Sequence, residues 1–203
     1  MMRHTSFLLL AALFMGCHFG HGQPAPVSPD YNFTVPGGWR MEHIPFPIPF
    51  APTISYTGTE NAYFPAGWGD KDSQDYWSYA FVWWLNGSLV PDTAAFRQNL
   101  ETYYGGLLRD NIGRRNIPAS KVVPVRATVS EAQADSGDTK TYTASVQTLD
   151  YMLQVPITLY CLIHVKGCGG PDHTAIVVTV SPKGPGDSIW QRFSEMNRSF
   201  GCK

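Results

Sequence analysis

Apolar residues recur along this chain with two different periods, and the change falls near residue 120. From Pro91 to Leu108 the spacing is helical. Phe96, Leu100, Tyr103, Tyr104, Leu107 and Leu108 share one face, and Asp92 stands where an N-cap belongs. Gly105-Gly106 interrupts that stripe and costs the helix about 1 kcal/mol per glycine. The expected return is a close helix–sheet approach, or a break into a second short helix. Beyond residue 120 the period is two. Val123, Val125, Ala127 and Val129 alternate with polar residues, and Tyr142, Ala144 and Val146 repeat the pattern. "DSGDT" joins these runs into an antiparallel hairpin with one wet face. "ITLYCLIHV" and "HTAIVVTV", joined by "KGCGGPD", make a second and more apolar hairpin. An amphipathic helix closes the chain in "GDSIWQRFSEMNRSFGCK". Its N-cap is Asp187, its apolar stripe is Trp190, Phe193, Met196 and Phe200, and Gly201 takes the C′ position.

Upstream, "DYWSYAFVWWLNGS" (75–88) carries six aromatic rings between Tyr76 and Leu85. Written as a strand, it puts Trp77, Tyr79, Phe81, Trp83 and Leu85 on one face and Tyr76, Ser78, Ala80, Val82 and Trp84 on the other. Neither face is polar, so the strand is central and covered on both sides. Large rings fill a core where aliphatic residues are scarce. The competing reading makes Trp77, Tyr79, Phe81 and Trp83 the lining of a ligand site. In "HIPFPIPFAP", Ile44, Phe46, Ile48 and Phe50 alternate with Pro45, Pro47 and Pro49. One edge of such a segment has no N–H donors, so it pairs on one side only or lies as polyproline II against the core. The pattern predicts an α+β protein: a mainly antiparallel sheet of about six to seven strands, packed with an amphipathic mid-chain helix and a C-terminal helix on one face.

The N-terminus reads as an address. Arg3 and His4 precede the apolar run Phe7–Met15, and "GCHFGHG" forms a small-residue exit. Nine apolar residues are fewer than the roughly 20 a bilayer requires. Two exits stay open, cleavage before Gln23 and lipidation at Cys17, whose "FMGC" context resembles a degraded lipoprotein box. The expected organisation is a signal peptide at 1–22, a Pro/Gly-rich arm at 23–38 and one α+β domain at 39–203. The location is periplasmic, secreted or lipid-anchored at the outer surface, with no transmembrane span in the mature chain. Without the signal, 14 Lys and Arg face 16 Asp and Glu. No basic run exceeds Arg114-Arg115, which excludes a nucleic-acid partner.

Candidate chemistry is thin. Cys161, His164, Cys168, Asp172 and His173 resemble a zinc site as text, but residues 161 and 164 point to opposite faces of a strand. No metal or cofactor is expected. Asp70, Asp72 and Asp75 lack the full ligand set of a calcium loop and read as a solvated turn. Cys168 with His173 could form a nucleophile pair, and Glu42, Glu60 and Asp150 are dispersed carboxylates that the sequence cannot pair. In an oxidising compartment the cysteines favour a disulfide. A final helix antiparallel to the strand at 173–180 brings Cys202 back toward Cys168. Cys168–Cys202 is therefore preferred to Cys161–Cys202, leaving Cys161 a buried thiol.

The order of apolar hairpins closed by "IWQRFSEMNRSF" resembles the PsbP-like α/β sandwich family, over residues 173–200 alone. That resemblance implies a non-catalytic accessory or binding role and transfers no functional residue. The stretch "IPFPIPFAPTISYTGTENAYFPAGWGDKDSQDYWSYAFVWWLNG" is similar to exported bacterial proteins of unassigned function. The leading expectation is an exported non-catalytic binding or accessory protein with an unknown protein or small-molecule partner. The alternative is an extracytoplasmic hydrolase using dispersed carboxylates or the Cys168/His173 region.

Overall fold

The computed structural model describes residues 29–169 and 172–203. The readings made on residues 1–28, including the signal, its cut site and lipidation at Cys17, lie outside the described residues. In chain order the elements are β1 (Tyr31–Asn32), β2 (Arg40–Pro45), β3 (Gly58–Phe64), β4 (Tyr79–Asn86), α1 (Thr93–Arg114) and a short 3-10 turn (Ala119–Lys121). Then follow β5 (Arg126–Ala132), β6 (Lys140–Asp150), β7 (Val155–Cys168), β8 (His173–Ser181), α2 (Ser188–Arg198) and β9 (Gly201–Cys202). Seven strands form one sheet in the order β2-β3-β4-β8-β7-β6-β5, and every neighbouring pair is antiparallel. β1 and β9 pair separately.

β4 lies between β3 and β8, and both of its faces are buried, as its sequence requires. The two helices divide those faces. α1 covers Tyr79, Phe81, Trp83 and Leu85, while α2 lies over Ala80 with Ile189, Phe193 and Met196. The expectation of both helices on one face is therefore corrected. A strand apolar on both sides needs cover on both sides, and the small Ala80 leaves room for α2. The N-terminal residues Tyr31, Phe33, Val35 and Trp39 complete the α2 layer around Val82, Trp84 and Val177. The aromatic strand also starts later than its pattern suggested, at Tyr79. Trp77 precedes it with φ +54°.

α1 runs unbroken, capped by Asp92, whose side chain accepts from the Ala95 N–H at 2.8 Å. Its Gly105-Gly106 pair is not a break. A Cβ at Gly106 would lie 1.9 Å from the Phe50 carbonyl oxygen, so the close approach is to the β2–β3 connection rather than to the sheet. Asp187 caps α2 by accepting from the Ile189 N–H at 3.0 Å. Gly201 is not the C′ residue. α2 stops at Arg198 with Ser199 as its cap, and Gly201 pairs with Asn32 across β1–β9.

The two outer strands end the sheet differently. The Phe46 N–H turns inward to the Gly58 carbonyl at 3.0 Å, so by alternation Pro45 sits where an outward N–H would stand. At the far edge, the Ala127 N–H of β5 donates to Glu101 Oε1 of α1 at 3.1 Å.

Candidate functional site

The sheet register carries a carboxyl group into the core. Ile44, Glu60 and Trp83 are cross-strand neighbours on β2, β3 and β4, and Glu42, Ala62 and Phe81 form the next row. Both rows face α1. Glu60 is fully enclosed, and each of its oxygens has a donor. Trp83 Nε1–H donates to Oε2 at 2.9 Å, and the Tyr103 hydroxyl donates to Oε1 at 2.7 Å. Beside this triad lies a cavity of about 120 Å³, walled by Phe50, Phe64, Trp68, Trp77, Tyr79, Tyr103 and Tyr151, with Glu42 and Leu107 among the remaining lining residues.

Burial dominates the electrostatics here. It pushes the Glu60 carboxyl from an ordinary 4.5 up to about 7; the Tyr103 and Trp83 hydrogen bonds pull the other way, and Glu42 adds repulsion. Tyr103 is raised well above 10, first by burial and then by the charge of Glu60. A second buried hydroxyl pair, Tyr79 with Tyr104 at 2.7 Å, adjoins it. Trp68 and Trp77 Nε1 have no oxygen or nitrogen partner. The Trp77 ring meets Tyr151 edge-on at 4.8 Å and the Trp68 ring meets Tyr79 edge-on at 6.3 Å, the packing in which an aromatic edge faces a negative ring surface. Trp77 is also the bulky residue held in the left-handed region, which costs about 1–3 kcal/mol and tends to mark functional positions.

Of the aromatic residues singled out in the sequence, Trp77 and Tyr79 line this cavity. Phe81 and Trp83 are enclosed behind it, and Trp83 acts on it only through its bond to Glu60. Of the dispersed carboxylates, Glu42 and Glu60 share the cleft. Asp150 is committed to a turn, accepting from the Tyr76 hydroxyl and from the Met152 and Leu153 N–H groups. Cys161 lies in the α1-side core and His164 is buried on the other face, so the zinc-like text does not converge. Cys168 is joined to Cys202, with Cα atoms 5.5 Å apart. It therefore has no thiol to offer, which removes the Cys168/His173 nucleophile reading. His173 stacks on Trp84 at 4.8 Å. Cys161 is a free buried thiol pushed up to about 12 by burial.

Sequence reasoning missed two polar clusters on the α2 side. Asp138, from the β5–β6 turn, has a fully enclosed side chain that receives His164 Nδ1 at 2.7 Å, Thr141 Oγ1 at 2.6 Å and the Lys166 ammonium. Burial raises its carboxyl, yet these bonds outweigh burial and hold it below the usual aspartate range. Asp135 brings a third potential metal ligand near His164 and Asp138. The Lys166 ammonium already supplies the counter-charge, so the donor set does not fit a metal. The second cluster is a chain from His43 through Asn61 to the Tyr31 and Tyr63 hydroxyls, with links of 2.7, 2.7 and 3.0 Å. The available signal was parity: each of these residues except Asp135, Asp138 and Tyr31 is a polar residue on the α2-facing side of its strand.

Among the described residues, no helix is long and apolar enough to cross a membrane. No protein-family model and no curated protein matches the chain. The PsbP-like resemblance of the C-terminal part is not confirmed. Among solved structures, LpqN of Mycobacterium tuberculosis, described as involved in cell envelope biogenesis, aligns at 14% identity with a TM-score of 0.36. The alignment covers 89% of this chain and 86% of LpqN. Similarity of that degree leaves the function to be argued from the cleft itself.

Proposed function

We propose that the protein is an exported, non-catalytic binding or accessory protein whose ligand seat is the cleft beside Glu60. The observation that carries this is the enclosed Glu60 carboxyl at the wall of a small aromatic space. Burying an ionisable group costs stability, and groups perturbed in this way concentrate at ligand sites. The left-handed Trp77 in the same wall adds a second local cost. The N-terminal export pattern supports the location.

The hydrolytic alternative has one observation in its favour, the shared wall of Glu42 and Glu60. Against it, Glu60 is fully enclosed and held by a donor on each oxygen, which leaves it poorly placed to reach a bulky scissile bond. Amide NMR with fragments of benzene size or smaller tests the reading. Shifts should gather on Glu60, Phe64, Trp77, Tyr103 and Leu107, and should vanish in Leu107→Trp, which adds bulk at a half-buried lining position. Shifts gathered elsewhere would remove the cleft as the seat. Turnover of ester or glycoside test substrates, lost in Glu42→Gln, would replace binding by hydrolysis.

A further inference from the structure

The charge of the cleft is one-sided. Its lining holds two carboxyl groups, Glu42 and Glu60, and no lysine, arginine or histidine. Seven of the ten other lining residues are aromatic, and a ring face attracts a cation through its quadrupole. Two of these rings already do so within the molecule. The Arg40 guanidinium lies 5.7 Å from the centre of the Phe64 ring, and Arg115 lies 5.2 Å from the centre of the Tyr151 ring. Both arginines line a neighbouring hollow with Asp70, not the cleft.

Resting on the reading of the cleft as a ligand seat, we propose that its occupant is an organic cation with a compact alkylammonium head, of the trimethylammonium type. Size and charge agree on this class. A cavity of about 150 Å³ holds benzene, so the space of about 120 Å³ suits a head of about five heavy atoms. An anion would meet two carboxyl groups and find no basic side chain. A strongly hydrated primary ammonium would lose its water against mostly aromatic walls that return few hydrogen bonds, whereas a methylated head carries a diffuse charge and an apolar surface. Glu60, whose oxygens each already accept one hydrogen bond, contributes charge rather than a direct bond, because a fully methylated head has no N–H to donate. Glu42, exposed on β2, brings a second carboxyl group to the lining.

Binding also couples to a proton. The titratable groups facing the space are Glu42, Glu60, Tyr79, Tyr103 and Tyr151, with Arg40 and Arg115 behind the walls. Burial raises the Glu60 carboxyl to about 7, so its charge changes near neutrality. A cation seated beside it favours the ionised form, so binding at pH 6.5 releases most of a proton.

The test is calorimetric titration of the full-length protein with tetramethylammonium, choline and 3,3-dimethylbutan-1-ol, the neutral isostere of choline. The cations should bind at least tenfold more tightly than the alcohol. Repeating the choline titration at pH 6.5 in two buffers of different ionisation enthalpy should reveal proton release. Glu60→Gln should abolish that release and cut choline affinity about tenfold without changing the alcohol. Glu42→Gln, at an exposed site where folding is not at stake, should weaken choline about threefold. An alcohol that binds as well as choline would overturn the cation and leave the cleft standing as a seat for neutral ligands. Fragment shifts absent from the cleft, with none of the three compounds bound, would overturn both readings.

Discussion

Replacing Glu60 by glutamine should change the pH dependence of stability in a way that no other single substitution in the cleft would. In the folded protein, burial raises the Glu60 carboxyl from 4.5 to about 7, while the unfolded chain titrates at the ordinary value. Below pH 4.5 both states are protonated and the group contributes no pH dependence. As pH rises, the unfolded state ionises first and is favoured, and stability falls until the folded state ionises as well. Above about 7 the loss is constant. At 1.36 kcal/mol per pKa unit, the full loss is about 3 kcal/mol, of which about 2.5 accrues between pH 5 and pH 8. Glutamine mimics the neutral acid, since its oxygen can accept from Trp83 and its amide can donate to the Tyr103 oxygen. Urea unfolding of both proteins, followed by tryptophan fluorescence at pH 5 and pH 8, measures the difference. The variant should gain about 2.5 kcal/mol on the wild type between those two pH values. A gain below about 0.5 kcal/mol, or a change of opposite sign, would show that Glu60 ionises as a hydrated carboxylate does, and the argument from burial would fail.

Asp138→Asn should cost about 3 kcal/mol, because it leaves the Lys166 ammonium and His164 without their buried counter-charge. Asp138 is depressed in the folded state, so its contribution is present above about pH 4 and is lost as pH falls through its folded value. The gap between wild type and variant should therefore narrow in acid, as thermal unfolding at pH 3 and pH 7 would reveal. Cys202→Ser should lower the unfolding midpoint by an amount equivalent to about 3–4 kcal/mol in the chain-entropy model, while Cys161→Ser acts only on local packing. Unchanged midpoints on reduction of the wild type would refute that. Gly106→Ala should destabilise by about 1–3 kcal/mol despite its helix propensity, since the new Cβ meets the Phe50 carbonyl. Gly105→Ala, whose Cβ meets only the flexible Arg109 side chain at 3.4 Å, should stabilise by up to about 1 kcal/mol.

Much of this architecture was legible in periodicity. Both hairpins, the two N-caps and the doubly buried aromatic strand follow from local pattern, because each depends on residues close together in the chain. The division of the helices between the two faces did not follow. A strand apolar on both sides says that two covers are needed but not which element supplies each. The cleft was half legible: Glu42 and Glu60 were visible as candidates, yet their convergence depends on the β2–β3 register and on Tyr103 arriving from α1. Asp138 was hidden for the same reason. It sits in the "DSGDT" link, which reads only as a hairpin connection, and only the return of β7 brings His164 and Lys166 to it.

A sheet with two open margins can in principle keep growing by templating a strand from another molecule, as in fibrils. Here one outward position on each margin is blocked, by different chemistry. On β2 the imino ring of Pro45 has no hydrogen to offer an incoming backbone. On β5 the hydrogen at Ala127 is already spoken for by a carboxylate lent from α1. One closure is written into the strand and the other depends on a helix being in place. The β5 margin should thus be the weaker of the two. Partial unfolding that lifts α1 would uncover the cleft and expose a templating edge in the same event, linking loss of the ligand seat to the onset of self-association.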